Sequence, residues 1–134
     1  MGQVYDVAVL ETSSLVAFIP VTDLAAARAF YESTLGLPVL DASPFALVVD
    51  ANGTPVRITP VPNLVPQPFT ICGWDVTDIE ATVAELETRG VRFTHYDGMK
   101  QRKNGVWASP SGDLVAWFVD PDGNTLSLTE FTSS

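Results

Sequence analysis

The chain contains one cysteine, Cys72, one histidine, His95, and seven lysines and arginines against sixteen acidic residues in 134 positions. A single thiol excludes an internal disulfide and any cysteine cage for zinc within the chain. The formal charge of −9 argues against a nucleic-acid partner, whose phosphates require basic surface; it permits a cationic ligand and otherwise maintains solubility. No apolar stretch reaches the roughly 18 residues of a membrane span, and no basic flank precedes an apolar region at the N-terminus. A cytoplasmic protein without a membrane partner is expected. With 17% charged and 46% hydrophobic residues, the chain suits one domain, 1–134, that buries its own core.

What the sequence does have is repetition. Ala116 to Phe131 (AWFVDPDGNTLSLTEF) is an apolar run, a turn cluster and an alternating strand, the pattern of a β-hairpin. The same pattern occurs at Leu47 to Pro60, with Asp50, Asn52 and Gly53 in the turn, 70 positions earlier. Ahead of the first hairpin, Leu15 to Val21 reads as a strand, Thr22-Asp23 caps a helix that Gly36 ends, and Leu37 to Ala42 is a further strand. Pro62, Pro66 and Pro68 then stiffen a connector, 61–68, that no central strand can contain. Phe69 to Val76 is the next strand, and Thr77 to Glu80 has the spacing of a capping box at the start of a helix that Gly90 closes. Val91 to Tyr96 reads as a strand before the closing hairpin. The expected fold is α+β: two βαβββ units, about 15–60 and 69–131, whose mixed sheets form a concave cleft with the helices outside. The helix caps lie 55 positions apart and the terminal glycines 54. Alternation in residues 4 to 10 suggests a strand or an arm packed on a partner subunit.

The paired units, the start Val21-Thr22-Asp23-Leu24 through Phe30-Tyr31 to Leu35-Gly36, and the closing Asp120-Pro121-Asp122-Gly123-Asn124 resemble the vicinal oxygen chelate superfamily. That group includes glyoxalase I, extradiol dioxygenases and the fosfomycin- and bleomycin-resistance proteins. The resemblance covers about residues 15 to 131. It implies the fold and a homodimer, but not one activity, because the fold serves lyases, oxygenases, transferases and pure binders. Catalytic members hold a divalent metal through a His near the start of a unit's first strand and a Glu in its last. Here those positions are Val16, Ile71, Arg57 and Ser127, which offer no suitable ligand. No metal and no other cofactor is therefore expected.

Strand alternation places Val56, Ile58, Leu126 and Leu128 toward the helices, and Phe18, Arg57, Thr59, Asp75, Ser127 and Thr129 on the concave side. These six, with Trp107 and Trp117, are the candidate ligand-binding residues; Phe118 is a further candidate for stacking. Arg57 could hold a carboxylate or phosphate, or pair structurally with Asp75. Trp107 and Trp117 could stack a planar molecule. Trp74 and Cys72 should face the helix, and lone His95, on a strand, makes a weak metal site. The loop 97–112, with Lys100, Arg102 and Lys103, could be a lid or only a solvated loop. No catalytic residue can be assigned. The leading expectation is a metal-independent small-molecule-binding protein; the alternatives are a metal-free or relocated-metal lyase, isomerase or dioxygenase-like enzyme, and an interaction module with a self-filled cleft.

Overall fold

The computed structural model describes residues 9–132; of the alternating stretch 4–10, residues 4–8 lie outside them. The order is β1 (Ala17–Val21), α1 (Leu24–Arg28) continued by a π-helical segment (Ala29–Thr34), β2 (Val39–Ser43), β3 (Ala46–Ala51), β4 (Thr54–Pro60), β5 (Thr70–Asp75), α2 (Ile79–Thr88), β6 (Trp107–Ala108), β7 (Leu114–Val119) and β8 (Thr125–Glu130). Two four-stranded mixed sheets result, ordered β1-β4-β3-β2 and β5-β8-β7-β6. Each is a βαβββ unit whose first strand runs parallel to its last. Neither sheet is closed. Among the described residues no helix is long and apolar enough to cross a membrane.

Local chemistry explains the boundaries. Asp23 caps α1 by accepting from the Ala25 and Ala26 amides at 2.9 and 3.1 Å, and Asp78 caps α2 by accepting from Ala81 at 3.0 Å. The expected capping box does not form: with Asp78 and not Thr77 as the cap, Glu80 falls one position short of N3, and its carboxylate turns outward to Arg102 and Asn104. In the first hairpin Asn52 and Gly53 both take positive φ, 51° and 97°, as a tight two-residue turn requires.

Val91 to Tyr96 is not a strand. The Thr94 amide donates to the Trp117 carbonyl at 2.7 Å, but the Gln101 side chain takes the next ladder groups, accepting from the Tyr96 amide and donating to the Thr94 carbonyl. The edge of the second sheet passes to β6, and His95 lies on irregular chain. A regular ladder cannot form where a side chain already satisfies the backbone.

The helix-facing strand residues and the inner faces of the helices form one core spanning both units, including Ile19, Val21, Val49 and Ile58 from unit one and Val83 of α2, Phe118, Leu126 and Leu128 from unit two. Phe30 packs on Phe118 across the seam, ring centroids 6.3 Å apart. Polar bonds fix the same seam. The turn Asp120 to Asn124 docks on the end of β1: Asn124 Nδ2 donates to the Pro20 carbonyl at 2.8 Å, and the Thr22 amide and hydroxyl donate to the Asp122 carboxylate. Buried Asp120 accepts from the Tyr31 hydroxyl at 2.7 Å. It also accepts from the Asp122 and Asn124 amides and from Asn124 Nδ2.

Burial, then the charge and hydrogen bond of Asp120, push the Tyr31 pKa upward, so the folded state keeps the phenolic proton. An unfolded tyrosine ionises near pH 10; the contribution of Tyr31 to stability is therefore complete below about pH 10 and lost as pH rises above it. Tyr31→Phe should lower unfolding stability at neutral pH by about 1.5–3 kcal/mol and flatten the alkaline decline. Denaturant unfolding across both pH ranges measures the two effects, and unchanged neutral stability would show that this bond contributes little.

Candidate functional site

The parallel ladders place the proposed residues on the sheet faces turned away from the helices. In the first sheet Phe18, 65% exposed, lies opposite exposed Arg57, and Pro20 opposite Thr59. In the second, Gly73 lies opposite Ser127 and Asp75 opposite Thr129. These pairs are equivalent: Phe18 and Gly73 differ by 55 positions, Arg57 and Ser127 by 70, the offsets of the helix caps and hairpin turns. Val16, just before β1, and Ile71 in β5 carry no metal-binding donor. The described residues contain no group of three or more His, Cys, Asp or Glu side chains placed to hold a metal ion. At Val16, Arg57, Ile71 and Ser127 the residues present offer no histidine or carboxylate to a metal.

Gly73 permits the close passage of its neighbour. A Cβ there would run into Ser127 Oγ and stand 3.2 Å from the Ser127 carbonyl oxygen, so the glycine makes room for a buried serine on this face. Thr59 Oγ1 is a buried oxygen without a hydrogen-bond partner among the described residues. Arg57 and Asp75 form no ion pair among the described residues; the pairs present are Arg28–Glu32, Arg89–Glu85 and Arg102–Glu80. The structural Arg57–Asp75 pair is therefore not made.

Aromatic side chains gather on the second sheet. Trp117 lies opposite Ser127 and Trp107 opposite Val115, and the two indoles are 6.0 Å apart at 40°. Tyr96 meets Trp117 edge-on at 5.5 Å. The sequence reading missed Tyr96, which reaches this place because the irregular segment follows β7. A cavity of about 220 Å³ opens between Phe69, Tyr96, Met99, Trp117 and Thr125. Phe118 points the other way, into the core beside Trp74 and Phe93, and drops out as a stacking candidate. Cys72 lies on the helix side, packed against the core; burial raises its pKa, opposed by a hydrogen bond from the Gly73 backbone, so it is a poor nucleophile.

The 97–112 loop is tied down. Arg102 Nη1 bonds Glu80 at 2.8 Å and Asn104 bonds the same carboxylate, anchoring the loop to the first turn of α2. Gln101 adds bonds to the Thr94 and Gly105 carbonyls, 2.8 Å each.

The chain matches the family model of the Glyoxalase/Bleomycin resistance protein/Dioxygenase superfamily over residues 13–128. It belongs to that superfamily. A comparison with curated protein sequences finds no match. Among solved structures, a superfamily member from Sphaerobacter thermophilus DSM 20745 is 28% identical with a TM-score of 0.70, covering 92% of this chain and 100% of its own. A bleomycin-binding protein complexed with bleomycin is 21% identical with a TM-score of 0.70, covering 90% and 100%. TnmS3, an antibiotic binding protein from Streptomyces sp. CB03234, is 23% identical with a TM-score of 0.69, covering 93% and 100%. The superfamily fold thus accounts for the paired units.

Gly73→Ala should destabilise the protein by about 1–3 kcal/mol, the range for forcing extra volume into a packed site. Adding Ser127→Ala should recover part of that loss by removing the nearer clash. Thermal unfolding of the single and double variants checks this, and an unperturbed Gly73→Ala protein would contradict the close approach.

Proposed function

We propose that this superfamily member binds a small organic molecule with a planar aromatic part, without a divalent metal, and sequesters or carries it. The observation that carries the reading is the Tyr96–Trp117–Trp107 cluster, set on an open sheet face beside Ser127 and Thr129. Aromatic faces supply large, rigid contact area with little conformational entropy to lose, and hydroxyls beside them can fix a ligand's orientation. Arg57 and Asp75, neither ion-paired among the described residues, are available to charged substituents. Two structural neighbours, one bound to bleomycin and one described as antibiotic-binding, support a binding role over catalysis. So does the lack of ligating side chains at Val16, Arg57, Ile71 and Ser127.

The exposed apolar residues of the same faces and their borders, Phe18, Ile71, Phe69 and Phe45 among them, support a two-fold dimer that covers part of them. A cytoplasmic setting suits the unpaired thiol.

Protein purified without a metal-affinity tag should carry less than about 0.1 divalent metal per chain, and metal-free bleomycin with a panel of planar aromatic compounds should quench tryptophan fluorescence saturably. Trp117→Ala should weaken that binding by about 1–3 kcal/mol. Arg57→Met should change stability by no more than about 0.5 kcal/mol and weaken anionic members of the panel selectively. One stoichiometric ion removable by chelator, or no saturable quenching across the panel, would overturn the reading.

A further inference from the structure

The two units place the same positions under their helices, but only unit one fills the space. Tyr31 and Leu86 each follow the first helical residue, Leu24 or Ile79, by seven and face the sheet. In unit one the surrounding Ile19, Val21, Ala27, Val49 and Ile58 are all fully buried around Tyr31. The corresponding residues of unit two are Trp74, Val76, Thr82, Phe118 and Leu128 around Leu86, and the first three are only partly covered. Where the tyrosine ring would lie, a cavity of about 200 Å³ remains. Leu35 and Leu37, in the chain leaving the first helix, supply its other wall.

We propose that this cavity is a second binding site, on the opposite side of the sheet from the Trp117 cluster, for a compact uncharged molecule of one or two aromatic rings. The lining is mainly aliphatic and aromatic, with exposed Asp75 and partly covered Thr82 as its polar members, and an apolar cavity of about 150 Å³ is large enough for benzene. Away from those two residues water would find few of the two to four polar partners it needs. Thr82 brings the side-chain hydroxyl on the α2 wall, and that group already donates to the Asp78 carbonyl at 2.8 Å. Its oxygen retains accepting capacity, which suits a ring N–H or O–H donor. Partial exposure of Trp74, Val76 and Thr82 leaves a route of entry that the sealed space around Tyr31 lacks.

Indole is the probe. Titrated into methyl-labelled protein, it should shift the Leu35, Leu86 and Leu128 methyls saturably, independently of any shift of the Met99 methyl beside Trp117. Leu86→Tyr, which restores the ring found in unit one, should weaken indole at least about tenfold, raise the melting temperature and leave quenching by planar ligands at Trp117 unchanged. If Leu86→Tyr fails to fold, Leu128→Phe fills the same space from the sheet and should give the same loss. Absence of saturable shifts, shifts confined to the Trp117 face, or undiminished indole affinity in the folded filling variant would overturn the proposal. The site stands or falls apart from the open-face reading, because the two are read by different methyl groups and different variants.

Discussion

The buried carboxylate of Asp120 is the interaction on which the relation between the two units depends. An ionised carboxylate taken out of water costs several kcal/mol unless its lone pairs are satisfied, and here two amides, one phenol and one carboxamide satisfy them. The donors come from both units, since Tyr31 belongs to the first helix and Asn124 to the last hairpin. Asn124 and Asp122 extend the contact to Pro20 and Thr22, immediately before the residue that caps α1. One turn therefore positions the end of β1, the entry to its helix and the Phe30–Phe118 contact together. The superfamily signature Asp-Pro-Asp-Gly-Asn is thus a joint between units. Gly123 within it has φ of 87°, and a Cβ there would stand 3.2 Å from Pro66, so the connector packs against the joint.

Tyr31 reaches that carboxylate from a widened helix. The Leu35 amide bonds back to the Phe30 carbonyl at 2.9 Å, the five-residue spacing of a π-helical turn, which accommodates an extra residue, and the Leu37 amide closes the helix end on the Tyr31 carbonyl at 3.0 Å. This accounts for a detail of the repeat: the helix caps lie 55 positions apart but the terminal glycines 54. The second helix is regular α throughout and lacks the extra residue. The bulge brings Phe30 into the seam beside the buried Tyr31, with their rings edge-on at 5.0 Å.

The sequence was legible where a local rule acts alone. Asp23 and Asp78 announce caps, Asn52-Gly53 announces a tight turn, and alternation around Arg57 and Ser127 assigns faces that the ladders reproduce. Legibility failed where a remote group competes. Val91 to Tyr96 has a strand's composition, yet Gln101 takes its backbone bonds; Thr77 to Glu80 has a capping box's spacing, yet Asp78 is the cap and the loop claims the Glu80 carboxylate. Asp120 was hidden for the opposite reason: turn chemistry already explained an aspartate there, so nothing signalled its long-range partner. Tyr96 joins the aromatic cluster only because the chain around it is irregular.

The two open faces have diverged in different chemical directions from equivalent positions. In the first sheet the central pair is a large apolar ring beside a permanent cation, Phe18 with Arg57; in the second it is a glycine beneath a small hydroxyl, Gly73 with Ser127. A single substitution at Ser127 would not create a metal centre, because the partner position in unit two, Ile71, carries no donor. The cation lies on one sheet; Asp75, small hydroxyls and the stacking surface lie on the other. A ligand that engaged both would need an ionic substituent and a planar ring system held at a distance from each other. A ligand that engaged only the second sheet would be selected by its rings and by what it offers to Asp75 and the hydroxyls of Ser127 and Thr129, without the anion preference that Arg57 would add.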